Sequence, residues 1–163
     1  MPRAINVLGT AERGNRPVTD TVILDYAQRS AQKVTVTGVR GGTFEIELAA
    51  PAQLHTDDLL VIDDGGLVEV VAAPEPLIEA RAADLSSLAR LAWHLGDRHV
   101  PMQLLPNRIR ARHEAGIESL LTSLGAKLAL IEAPFEPEGG AYAASHGQAR
   151  DHDHAHSHHH HDH

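Results

Sequence analysis

The sequence predicts an α+β protein in three parts: a small all-β N-terminal domain over residues 1–75, a ferredoxin-like βαββαβ domain over 76–140, and a disordered His-rich C-terminal tail over 141–163. Three observations predict it. Through the first half, apolar residues alternate with polar ones at period two and no helix of normal length is patterned. After Pro76 two helix-spaced apolar stripes appear among four strand-like runs, in the order β-α-β-β-α-β. From Asp151 the chain holds no periodic apolar residue, yet it carries eight of the 13 histidines. Such a segment cannot bury enough apolar area to order itself.

The elements follow in order. Ala4 to Leu8 predicts a first strand, Gly9 to Asp20 a loop, and Thr21 to Leu24 a short strand. Lys33–Thr37 and Thr43–Leu48 alternate on either side of Gly41-Gly42, which predicts a hairpin. Leu59–Ile62 and Leu67–Val71 predict a second hairpin around Asp63-Asp64-Gly65-Gly66. Pro74 and Pro76 stiffen the chain and remove two amide donors, which marks a domain boundary. Leu77–Ala82 reads as a strand. Asp84 is a suitable N-cap for a helix whose apolar face is Leu85, Leu88, Ala89, Ala92 and Leu95, with Gly96 as its stop. Val100–Leu105 and Arg108–Arg112 are strands. A second helix opens at Glu114, is striped by Ile117, Leu120, Leu121 and Leu124, and closes at Gly125. Ala126–Glu132 is the last strand, and residues 134–150 read as a linker or surface strap.

Composition limits the function. Aromatic residues are only 3% of the 163, so the cores must be aliphatic. A net charge of −8 disfavours nucleic acid and anionic membranes as partners and favours cations. Absence of cysteine excludes thiolate sites and disulfides, leaving nitrogen and oxygen ligands. No apolar run reaches the ~20 residues of a membrane span, and Met1–Ala4 lacks a signal core, so a cytoplasmic location is expected. There is no His-Glu-x-x-His, P-loop, or Gly-x-Ser-x-Gly, and no carboxylate pair stands out for acid–base work. The pattern points to carrying a metal, not to an enzyme.

The histidines carry that reading. Neutral imidazole is the commonest protein metal ligand, and with a free pKa of about 6.5 it is ligand-competent at neutral pH. Candidate ligands are His99, His113, His146, His152, His154, His156, His158, His159, His160, His161 and His163. Asp, Ala and Ser interrupt the tail, unlike an engineered run. His99 stands apart because it lies between a helix stop and a strand start, where a scaffold presents a loop residue. A single histidine makes no selective site, but two copies meeting on a two-fold axis can. His55 reads as an ordinary loop residue, and His94 as packing or capping.

Leu91 to Gln103, containing Trp93-His94-Leu95-Gly96-Asp97-Arg98-His99-Val100-Pro101, resembles the signature region of the urease accessory nickel chaperones, the UreE family. Pro134-Phe135-Glu136-Pro137-Glu138-Gly139-Gly140-Ala141-Tyr142 is similar to a second family segment, and Ala73–Pro76 to its domain junction. The resemblance implies a peptide-binding-like β domain, a ferredoxin-like domain, and a homodimer binding Ni²⁺ through His99 of both subunits. Zn²⁺ and Cu²⁺ are then competitors in vitro. It implies delivery to apo-urease with the accessory GTPase UreG and the urease–accessory protein complex. Asp97 stands where the family usually has Asn. Of a histidine pair two apart in some relatives, His113 is present and Ala115 replaces the second. The alternatives are a nickel or zinc store without a delivery partner, and a peptide-binding β module with an incidental tail.

Overall fold

Val and Ile alternating with Thr, Asp and Glu give each strand of the N-terminal domain one apolar face, and burying those faces together curls the sheet. The structure is a computed structural model that describes residues 1–50 and 52–139. The tail, with His146 and His152 to His163, lies outside the described residues. The first sheet contains β1 (Arg3–Leu8), β2 (Val18–Leu24), β3 (Lys33–Thr37), β4 (Thr43–Glu47), β5 (Leu59–Ile62) and β6 (Leu67–Ala72). Their order is β2-β6-β5-β1-β4-β3. The β3–β4 and β5–β6 pairs are antiparallel hairpins, whereas β1–β4 and β2–β6 are parallel. A bond from Val39 N–H to Thr21 O (2.8 Å) draws the two ends of the sheet together.

The core of this sheet is aliphatic: Val22, Leu24, Val36, Ile46, Leu60, Ile62, Val68 and Val70 are all buried, with Phe44 packed at its margin. Each such side chain contributes about 1.5–3 kcal/mol of burial. Two features differ from the sequence reading. The loop predicted over 9–20 is shorter, with a 3₁₀ turn at Thr10–Glu12 and β2 already begun at Val18. A short helix, α1 (Tyr26–Ser30), follows β2. Its cause is local: Asp25 accepts from Gln28 N–H (2.8 Å) and the Gln28 amide oxygen accepts from Asp25 N–H (3.0 Å), a reciprocal capping box.

The second sheet contains β7 (Pro74–Arg81), β8 (Gln103–Leu105), β9 (Arg108–Arg112) and β10 (Lys127–Pro134), in the order β10-β7-β9-β8, all antiparallel. With α2 (Leu85–Asp97) and α3 (Ala115–Ser123) this is the expected ferredoxin-like arrangement. Leu91 and Leu95 of α2 and Ile117 and Leu121 of α3 pack with Ile78, Ala80, Ile109 and Ala111, so both helices cover one face. Pro74 and Pro76 are strand residues, not a linker. They pair with β10 beyond the end of the β7–β9 ladder, which starts at Leu77, where the lost amide donors are tolerated. Strand β8 starts at Gln103, not Val100, because Pro101 cannot donate to a ladder.

A strap joins the domains. Phe135 is fully buried and stacks edge-on against Tyr26 of α1 at 5.3 Å. Arg29 of α1 is also fully buried; its guanidinium donates to Leu24 O (3.2 Å), Leu54 O (3.3 Å) and Phe135 O. The Glu136 carboxylate sits 3.6 Å from Arg29, accepts Thr56 N–H at 3.0 Å, and lies 2.8 Å from His55 Nδ1. His55 is therefore a domain contact and not an ordinary loop residue. Glu138 N–H then bonds Met102 O at 2.8 Å, which ties the strap to the second domain.

Candidate metal centre

Helix α2 ends by presenting His99. It starts at Asp84, whose carboxylate accepts Ser87 N–H at 2.7 Å and is held below its ordinary pKa by that bond. It runs through Gly96, the residue expected to stop it, and continues to Asp97 with Arg98 as C-cap. Gly96 is helical because the left-handed residue comes three positions later, at His99, with φ 56°. His99 N–H bonds Gly96 O (3.0 Å) and Val100 N–H bonds Leu95 O (3.0 Å). These two bonds are the Schellman closure of a helix. Val100 packs onto the core that contains Leu95, which supplies the apolar contact common to that closure.

Left-handed backbone costs an L-residue with a Cβ about 1–2 kcal/mol. Glycine avoids that cost and usually takes this place. Placing an imidazole there holds its backbone on both sides by hydrogen bonds and projects the side chain from a fixed point. The His99 residue is exposed. Beside it is a cleft of about 180 Å³ lined by Val100, Pro101, Arg112, Glu114 and Ile117. The Arg112 guanidinium also sits 4.7 Å over the Tyr26 ring, so the cleft wall touches the first domain.

The outer face of α2 exposes Leu85 (75%) in its first turn and Trp93 (64%), the chain's one tryptophan, toward its end. Trp93 stands perpendicular to the His94 ring at 5.1 Å, which accounts for His94 as a packing residue.

Two family models match the chain: the UreE urease accessory protein C-terminal domain over residues 75–163 and its N-terminal domain over 4–73. The chain belongs to the UreE urease accessory protein family. The protein named urease accessory protein UreE of Bradyrhizobium sp. (strain BTAi1) is 51% identical over 152 residues, which cover 93% of this chain and 73% of the relative. That of Beijerinckia indica is 44% identical over 93% of this chain and 87% of its own. That of Chelativorans sp. (strain BNC1) is 38% identical over 93% and 98%. Membership in UreE makes the chain a urease accessory protein. No helix among the described residues is long and apolar enough to cross a membrane.

In this UreE-family chain the histidines expected as ligands fall in different places. His113 is exposed, its Nε2 is 2.9 Å from Glu118 Oε2, and its N–H bonds Pro76 O. It does not line the His99 cleft, whereas its neighbours Arg112 and Glu114 do. Among the described residues, no three of His, Asp and Glu come together as a metal set. The described residues therefore offer a single imidazole in the cleft at the α2 terminus. The sequence reading missed the clasp between the domains made by Tyr26, Arg29, Phe135 and Glu136. The signal was present: Pro134-Phe135-Glu136-Pro137 places one of the two phenylalanines between prolines. Near this clasp, burial pushes the Asp58 carboxyl up from 3.8, and the His55 N–H bond to it opposes that only in part.

Proposed function

We propose that this chain is a nickel metallochaperone that acts in the cytoplasm as a homodimer and delivers Ni²⁺ to apo-urease with the accessory GTPase UreG. The observation that carries the reading is His99 at φ 56°, a place in the helix end that glycine would fill at lower cost. A histidine there has a reason if its imidazole is used. In a two-fold dimer the same residue from each subunit meets at the axis, and the exposed Trp93, less than two turns before it, supplies apolar surface for the contact.

The working units are residues 1–75, 76–140 and 141–163. In the last, His146, His152, His154, His156, His158, His159, His160, His161 and His163 collect metal, and Asp151, Asp153 and Asp162 add oxygen donors. His113, already engaged with Glu118, is an auxiliary ligand at most. Imidazole suits nickel, and copper and zinc compete for it, so selectivity comes from the two-fold geometry and the partner rather than from raw affinity.

Truncation after Ala144 tests the division of labour. Equilibrium dialysis is expected to show fewer nickel ions per dimer and one retained tight site; loss of that site with the tail would sink His99 as the primary ligand. The tail's capacity favours one second reading, a nickel or zinc store without a delivery partner. A pull-down with UreG separates them, because a store shows no nickel-dependent capture.

A further inference from the structure

The face of the second sheet opposite the helices carries a charge that runs against the whole chain. Alternation along the strands puts Arg81 and Glu79 of β7, Arg108 and Arg110 of β9, and Lys127 of β10 on that face, away from Ile78, Ala80, Ile109 and Ala111. Four cations thus surround one carboxylate in a chain of net charge −8. Glu79 accepts from Arg110 Nε (3.0 Å), Arg108 Nε (3.1 Å) and Arg81 Nη2 (3.2 Å). One arginine would neutralise it. The others repel each other, and their side chains keep 49% (Arg81), 28% (Arg108) and 20% (Arg110) of their exposure.

Glu79 holds the three guanidiniums in a fixed array. Burial pushes its carboxyl up, but Arg110 and Arg108 outweigh that and keep it below 4.5, hence ionised. Among the described residues, the two terminal amino groups of Arg110 make no hydrogen bond, so they are available to an incoming acceptor. Arginine forks match carboxylates in paired bonds. Strands β7 to β10 contain no aromatic residue on which a base could stack, which argues against single-stranded nucleic acid. The row on β9 also leads somewhere: Arg112, next after Arg108 and Arg110 and about 13 Å from Arg108, lines the cleft beside His99.

We infer that this open basic sheet face is the docking surface for the protein that exchanges metal with the chain, and that the partner meets it with a carboxylate-rich surface. The inference rests on the delivery reading above and adds the surface and the partner's chemistry to it. A partner seated on Arg81, Arg108, Arg110 and Lys127 relieves the surplus positive charge and reaches the His99 loop along β9.

The test is calorimetric titration of the nickel-loaded full chain with purified UreG, at about 50 mM and about 300 mM salt. Wild type is expected to bind about tenfold more weakly at the higher salt. The exposed-rim variant Arg81→Glu/Lys127→Glu and the milder Arg108→Gln are each expected to lower affinity by about tenfold. Arg40→Glu, exposed in the β3–β4 turn of the first domain, is the control and is expected to stay within about twofold, as is nickel stoichiometry in all variants. Sheet-face variants that bind like wild type, or no more weakly than the Arg40 control, overturn the inference. So does a preference of the face for duplex DNA over UreG. If only His99→Ala abolishes capture, the delivery reading stands and this docking surface falls. If wild type does not bind UreG with nickel at all, both fall.

Discussion

The two helices of the second domain end in the same geometry and with different residues. After α3, Gly125 takes φ 81°, Gly125 N–H bonds Thr122 O (3.0 Å) and Ala126 N–H bonds Leu121 O (3.1 Å). After α2, His99 takes φ 56° and the same two bonds recur with Gly96 and Leu95. Glycine satisfies the closure of α3 without backbone strain. At α2 the same closure carries a Cβ and a ring, so the chain accepts a destabilised position there. The difference teaches that one closure can be met at no steric cost, as at α3, or at a cost that leaves an exposed imidazole at the helix end, as at α2.

The largest effect is expected from a substitution that keeps the conformation and removes the ligand. Asparagine tolerates left-handed backbone, so His99→Asn should leave the melting temperature unchanged while nickel affinity at the tight site drops by about 100-fold or more. Dialysis of the tail-truncated chain reads this directly, and retained affinity would end the role assigned to the imidazole. Next in size is Gly125→Ala. No atom lies within 4 Å of the added Cβ, so the cost is backbone strain alone, about 1–2 kcal/mol. Thermal unfolding should register this as a fall of several degrees with nickel binding intact; a neutral Gly125→Ala would break the premise that the closure favours glycine.

A smaller change of opposite sign is expected for His99→Gly. Relief of strain outweighs the extra chain entropy, giving a gain of up to about 1 kcal/mol together with loss of the tight site. A destabilised His99→Gly would mean that the ring contributes packing. The smallest effect on the fold is expected in mild acid. Protons compete with metal for imidazole, so nickel binding should weaken as pH falls through about 6.5. The Glu79–arginine contacts do not follow. Glu79 has a pKa lowered from 4.5 in the folded state, so its stabilisation is present above 4.5 and is lost only as pH falls through the lower folded value. Circular dichroism and a nickel titration over the same pH range should separate the two losses. Coincident loss would show that site and fold are one unit.

Much of this was legible in the residues. Alternation at Lys33–Thr37 and Thr43–Glu47 matched the observed hairpin, and Leu88, Ala92 and Leu95 and then Ile117, Leu120 and Leu121 matched the helix faces, whereas Leu85 and Ala89 of the expected first stripe are exposed and the buried Leu91 was not read into it. His99 stood out because a histidine follows a helix-stop pattern. Which residue would turn left-handed was not legible, because Gly96 satisfies the local rule and the true turn depends on Val100 reaching the core beside Leu95. Helix α1 could have been read from Asp25 and Gln28, whose spacing fits a capping box, but five residues leave no periodicity to see.

The sequence by itself determined the βαββαβ order of the second domain and the family, because period, capping residues and ordered motifs are local properties of the chain. Only the tertiary structure decided the clasp of Arg29, Tyr26, Phe135 and Glu136, since these positions are up to 110 apart and meet only when both sheets are formed. It also decided that the arginines of β7 and β9 share one face around Glu79, which is a matter of register between strands and not of any single strand. Side-chain type is written in the chain; company is assigned by packing.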